Sequence, residues 1–454
     1  MNRRLLLIAY EFPPVGGAGV QRVAKLSKYL PTHGWAVSVL TAKNHSVPTM
    51  DKSLCTDVPE GTIIRKAKSW EPAYGVKRAL TSTNTSTSLK GRVRSGVGTM
   101  IRRVGCKVLQ PDPQILWVPD AIRQGRRLLR ECRHDAILVT GPPFSSFLVG
   151  AALHRSSGLP LVLDYRDEWG LANKYWENRE NTRYTRWCQR NLQNWVTSHA
   201  STIFATTESS ADSLRQQVQA ARRDIPVRCL HNGFDPDDFG MDVSQPPDEK
   251  RLRISHVGTL WRLTTVHPLV SAVEQLAASQ PQLARMLDVE LVGRCTAGEE
   301  DAIERLRRLP CRVLRRDYVD HSAAVDVMQR SDELCLLLAD EPGGERVVPG
   351  KTFEYLASNR RILAIAPDGE TRNILSRFEG VNAFAPNETT GIARHLGESI
   401  ETVKTLRSQQ LDRCLTQFDR RAQAGKMAQV LNGLLIPRTN VENSRFTSPV
   451  LVTE

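Results

Sequence analysis

No stretch of the 454-residue chain approaches the roughly 18 to 20 consecutive apolar residues that a membrane-crossing helix needs. The apolar run in MNRRLLLIAYEFPP is also too short for a secretory signal, so the expectation is a cytoplasmic protein. C-x-x-C pairs are missing. Nine cysteines stand singly along the chain, which excludes a disulfide framework and predicts reduced thiols. Ten histidines form no H-E-x-x-H or other short ligand cluster, which speaks against a structural metal. Two phosphate-binding fingerprints fail as well. After Gly17 and Gly19 the third glycine of G-x-G-x-x-G is replaced by Arg22, and the second apolar run ends VLTA without the acidic residue that a nicotinamide ribose requires. Gly350, Lys351 and Thr352 have a P-loop ending, but Glu345 occupies the place of its first glycine.

What is present favours a globular protein of more than one domain, with 40% hydrophobic and 24% charged residues. Apolar runs at 4–8 and 35–42 enclose GVQRVAKLSKYL, whose Val20, Val23, Leu26 and Leu30 have helical spacing. Strand, glycine loop, helix and strand recur through AILVTG, LPLVLDYRD, ASTIFATT and VRCLHNG. After the turn-rich 232–250 the pattern restarts with RISHVGTL, LDVELVGR, CRVLRRDYV, ELCLLLA and RRILAIAP. Such alternation predicts two α/β units with parallel sheets. Residues 395–435 read as closing helices, and 436–454 as a disordered tail.

Several segments carry chemistry. The turn at Gly16 and Gly17 leads from a strand into a helix, where free amides favour an anion; a merely tight turn is the alternative. Lys351 and Glu354 lie one turn apart at a helix start, suited to a diphosphate and to ribose hydroxyls; a solvent-facing amphipathic helix is the plain reading. In DYRDEWG, Asp164, Arg166 and Asp167 end a strand where open α/β sheets place ligands, unless they form a structural ion pair. Asp235 and Asp238 in DPDD read as helix caps rather than metal ligands.

The net charge of +13 is uneven: residues 61–135 hold 16 Lys and Arg against 5 Asp and Glu. Within 88–110 an apolar stripe from Val93 to Val108 is flanked by arginines. That pattern suits an in-plane helix on an anionic membrane, or an ordinary helix packed on its own domain. Nucleic acid is disfavoured because no aromatic platform accompanies the charge.

The ordered set YEFPPVGGAGVQR, TGPPFSS, LVLDYRDEWG, HNGFDPDDF, HVGTL, ELVGR, DYVDHSAAVDVMQRSDELCLLL and PGKTFEYLASNRRILAIAP resembles the retaining glycosyltransferases of family 4, over roughly residues 3–435. The resemblance implies a GT-B fold: an acceptor-side Rossmann-like domain over 1–235, a nucleotide-sugar domain over 236–415 and a closing helix over 416–435. It implies transfer of a hexosyl group with retention to a lipid-linked or saccharide hydroxyl in cell-surface polysaccharide synthesis, at the inner face of the membrane. No metal or cofactor is expected. Glu354 matches the second glutamate of the family's E-x7-E motif, but Arg346 stands where the first belongs. Gly16, Gly17, Gly258, Arg262, Arg294, Gly350, Lys351 and Glu354 are the donor-binding candidates. Asp164, Arg166 and Asp167 are the acceptor-side set, and Asp167 with Arg262 the catalytic pair. Thr259 replaces the family's usual arginine; together with Arg346 it favours one alternative, a catalytically silent binding protein of this fold, and a nucleotide-sugar epimerase of related architecture is another.

Overall fold

The computed structural model describes residues 3–43, 50–70, 108–170, 182–240, 250–409 and 411–435. The expected basic helix over 88–110 therefore lies outside the described residues except for its last three, and the expected tail lies wholly outside them. Two parallel sheets form the frame. The first has strands β1 (Arg3–Ile8), β2 (Trp35–Ala42), β3 (Ile63–Ala67), β4 (Ala136–Gly141), β5 (Leu161–Tyr165), β6 (Thr202–Ala205) and β7 (Val227–Cys229), in the order 3-2-1-4-5-6-7. The second has β8 (Leu252–Val257), β9 (Leu287–Val292), β10 (Arg312–Arg316), β11 (Glu333–Leu337), β12 (Arg361–Ile365) and β13 (Val381–Phe384), in the order 10-9-8-11-12-13. Both orders reverse beside the first strand, between β1 and β4 and between β8 and β11. Open α/β sheets bind ligands at such points, outside the carboxyl ends of the strands.

The strands β1, β4 and β12 are largely apolar because both faces are covered, while β8 and β9 also bury Ser255, His256, Asp288 and Glu290. Alternate residues of β1 enter opposite cores: Leu6 and Ile8 join one, Leu5 and Leu7 the other. In β12, Leu363 and Ile365 face one side and Ile362 and Ala364 the other.

The final helix, Arg420–Leu435, packs Ala424, Met427, Ala428 and Leu431 into the first domain's core beside Val20 and Val23. The chain thus crosses between the domains twice, and the two crossings are bonded to each other. The Phe234 amide donates to the Phe418 carbonyl (3.1 Å), and the Arg420 amide donates to the Phe234 carbonyl (3.0 Å). Gly233 leaves room for this approach, since a Cβ there would collide with the Phe418 carbonyl oxygen.

Arg22, the residue in place of a third glycine, fastens the helix Ala18–Tyr29 to β5. It donates from Nε and Nη2 to the two carboxylate oxygens of Asp164 (2.9 and 2.7 Å), and both side chains are fully buried. Thr140 donates to the same carboxylate, and Arg22 Nη1 donates to the His231 carbonyl. Asp164 is therefore a structural partner and does not reach the cleft, which corrects its expected acceptor-side role. Removing one member of such a pair leaves an uncompensated buried charge costing about 3–5 kcal/mol. Asp164→Ala should lower unfolding stability in urea by about that amount, and the double variant Arg22→Met/Asp164→Leu should recover a large part of it. A loss below about 1 kcal/mol for the single variant would show the pair to be dispensable.

Candidate active site between the domains

Two connected cavities, of about 230 and 340 Å³, lie between the carboxyl ends of the sheets and share Gln21 and Gly350. The first is walled by Gly17, Gly258, Arg294, Tyr318, His321, Lys351 and Glu354. Gly258, Gly293 and Arg294 follow β8 and β9, and Lys351 and Glu354 come from the short helix Lys351–Ala357 between β11 and β12. That helix has only seven residues, and it is the side chains of Lys351 and Glu354 that line the cavity. Gly258, at φ 144°, lies directly under the lysine: a Cβ would collide with the Lys351 ammonium.

Lys351 Nζ is 3.2 Å from His256 Nε2, whose Nδ1 pairs with the Cys335 carbonyl. Burial and the adjacent ammonium hold His256 well below its ordinary pKa, so it is a neutral acceptor. Burial pushes Lys351 down to about 8, with the Glu354 charge working the other way. No carboxylate forms an ion pair with Lys351 among the described residues. Burial raises Glu354, and His321 partly offsets it. Gly17 opens the helix Ala18–Tyr29 at φ 121° with no capping side chain, and Gly16 lies against the Tyr318 hydroxyl, which a Cβ would strike.

His321, which begins the helix His321–Gln329, was not among the residues singled out in the sequence. Its Nε2 is 3.0 Å from Asp238, its Nδ1 is 2.9 Å from Gln21 and 3.8 Å from Glu354, and its amide donates to Asp51. Two of these partners, Gln21 and Asp51, belong to the first domain, and Asp238 lies just past the first crossing. Burial alone would lower its pKa, but Asp238 and Glu354 push it up to about 9.

The second cavity is walled by Tyr10, Glu11, Gly19, Pro142, Arg166, Asp167, Asn232, Val348 and Arg420, among others. Asp167 opens onto it and is exposed to this space. The surrounding protein raises its carboxyl, and the Arg166 charge lowers it. Arg166 itself donates to the Pro142 carbonyl, and Gly19 accommodates its guanidinium.

Arg262 is not brought here. It forms a bidentate pair with Glu341 (2.9 and 2.7 Å) on an exposed surface beside Thr265 and His267, away from Lys351, which corrects its expected place at the diphosphate. The expected capping role fits Asp235, which accepts from the Asp237 amide, but not Asp238, which bonds Lys25 and His321. Asp57, Asp235 and Asp238 converge as metal ligands might be arranged. However, the Lys25 ammonium fills their centre at 2.7 to 2.9 Å from all three, and Lys28 and His321 pair with the same carboxylates, so cationic side chains already occupy the donor set. Arg346 pairs with Glu168 across the domain boundary, and Glu345 turns back to the Gly343 amide.

The model of the glycosyl transferase 4-like domain family matches residues 16–233. Those residues, just under half of the chain, are similar to a glycosyl transferase 4-like domain. The match begins at the glycine turn and ends at the first crossing, so that this domain supplies Gly17, Gln21, Arg166 and Asp167, and the remainder of the chain supplies Lys351 and Glu354. The whole chain has the GT-B fold. It is similar to sucrose-phosphate synthase from Thermosynechococcus elongatus (16% identity, TM-score 0.58, 95% of this chain and 99% of that one). It is similar also to Anabaena HepE in complex with UDP and glucose (17%, 0.53, 95% and 97%). A third likeness is to WaaG, a glycosyltransferase involved in lipopolysaccharide biosynthesis (14%, 0.55, 94% and 100%). No curated protein matches the sequence.

The sign of the His321 effect on stability follows from its raised pKa. A histidine at about 9 in the folded protein, against 6.5 unfolded, contributes stability that is complete below pH 6.5 and lost as the pH rises through 9. The stability difference between wild type and His321→Asn, measured by urea unfolding, should therefore be largest at pH 6 and shrink towards pH 10. A difference that grows with pH would contradict the assigned partners.

Proposed function

We propose that the protein is a glycosyltransferase that moves a hexosyl group from a nucleoside diphosphate sugar to an acceptor hydroxyl, with retention at the anomeric carbon and without a metal. The observation that carries this reading is the pairing of Lys351 and Glu354 on one helical face, inside a cavity closed by both domains. A buried ammonium with no carboxylate partner suits a diphosphate, and a carboxylate one turn away suits the two hydroxyls of a ribose. Gly17, Gly258 and Arg294 complete the wall around the phosphates. The departing diphosphate gains charge as the glycosidic bond breaks. Lys351, held against His256, and Arg294 are cations on this wall that would meet it, which is the task a metal would otherwise perform. Asp167 stands in the adjoining cavity, where the acceptor hydroxyl would be oriented.

We place this activity in cell-surface polysaccharide assembly, at the inner face of the membrane, with a lipid-linked or saccharide acceptor. The described helices include none long and apolar enough to cross a membrane. The involvement of WaaG in lipopolysaccharide biosynthesis and the basic segment 61–135 support this setting. One observation favours a second reading, a binding protein without turnover. Arg346, at the position of the family's first glutamate, is engaged by Glu168, so this loop offers the sugar no free carboxylate.

The test is a panel of UDP-, GDP-, ADP- and dTDP-sugars, measured for binding and hydrolysis in EDTA and with magnesium. One nucleotide should bind, with slow hydrolysis in EDTA, and Glu354→Ala should weaken binding by at least about tenfold, or ~1.4 kcal/mol. Failure of every nucleotide sugar to bind the folded protein would sink the donor site. Because Lys351 titrates near 8 in the free protein, nucleoside diphosphate affinity should fall as the pH rises from 7 to 9. Lys351→Met should flatten that dependence.

A further inference from the structure

Arg420 is an unexplained cation. It starts the last helix, is 95% buried at 5% exposure, and lines the larger cavity rather than the one that holds Lys351. Its Nη1 donates to Gln423 (3.1 Å), and among the described residues no carboxylate forms an ion pair with it. The carboxylates whose charge reaches it are Glu354, Asp164 and Asp235, and none is within ion-pair distance; Asp164 is taken by Nε and Nη2 of Arg22, and Asp235 by Lys25 and Lys28. Burial first, and the Arg22 charge second, push Arg420 down to about 9, which still leaves it cationic at neutral pH. A second guanidinium, Arg166, lines the same cavity, with a buried Nε that meets no acceptor. Glu11 and Asp167 are the acidic side chains of this wall.

A buried guanidinium without a counter-ion costs several kcal/mol, and an anion entering the cavity would offset that cost. The donor diphosphate is served by Lys351 and Arg294 in the smaller cavity, so this anion is a second one. We propose that the larger cavity takes an acceptor carrying its own anionic group, a phosphate or a carboxylate, held by Arg420 with Arg166 beside it. This rests on the transferase reading only for the word acceptor; the anion site stands on its own geometry.

The test uses three glucosides that differ in charge: neutral octyl glucoside, a glucosyl diphosphate on a short isoprenoid, and an alkyl glucuronide. Their binding by calorimetry is compared in wild type, Arg420→Gln, Arg420→Lys and Lys351→Ala. Wild type should bind at least one charged form tenfold or more tighter than the neutral one. The gap should vanish in Arg420→Gln and persist in Arg420→Lys and in Lys351→Ala. Preference for the diphosphate would identify a lipid carrier, and preference for the glucuronide an acidic saccharide. No gap in wild type, or a gap lost in Lys351→Ala but kept in Arg420→Gln, overturns the proposal. Nucleotide-sugar hydrolysis, run in parallel, separates the two readings: if it is absent while the gap holds, the transferase reading falls and the anion site remains.

Discussion

The cleft depends on the paired chain crossings at Gly233–Phe234 and Phe418–Arg420. Two backbone hydrogen bonds hold the segments together, and Gly233 has no side chain because the Phe418 carbonyl fills that space. This short junction sets the carboxyl edges of the two sheets face to face. Around it the domains meet through polar contacts: His321 with Asp238, Gln21 and Asp51, Arg346 with Glu168, and Ser209 with Glu370. Polar contacts of this kind separate at little cost, since each group recovers water. A fixed junction with wettable jaws is the arrangement required for a ligand to enter between domains and be enclosed.

Charge is distributed unequally between the two cavities. Around Lys351 the acidic and basic groups are few and closely coupled, so each shifts the other: Glu354 is raised by burial, His321 is pushed up by Glu354 and Asp238, and Lys351 is pushed down. The surplus positive charge faces the space where phosphates would lie. Below the cleft, charges are paired and silent. Lys25 pairs with three aspartates, two of which Lys28 shares, and Arg22 neutralises Asp164. Residue type alone does not separate these cases, since both sets consist of lysines, arginines and aspartates near strand ends.

That limit explains what could be read from the sequence. The central strands were legible because a strand covered on both faces is a run of apolar residues, as in β2, β4 and β12. The edge strands β3 (IIRKA) and β13 (VNAF) were not, because half of each meets solvent and the apolar run is broken. Lys351 and Glu354 stand out through local spacing. Gln21, His321 and Arg420 do not: each becomes part of the site only when distant segments meet, and His321 is a lone histidine at a helix start. Arg262 misled for the same reason, since its place near a strand end said nothing about Glu341 waiting beside it.

The closing helix has a consequence for the order in which the protein is made. Met427, Ala428 and Leu431 are core residues of the first domain, yet they are among the last described residues to be synthesised. The second domain is complete in sequence before the first can seal its core. On the ribosome, the domain that begins first must therefore wait, with Val20 and Val23 uncovered, until the chain has returned from building its neighbour.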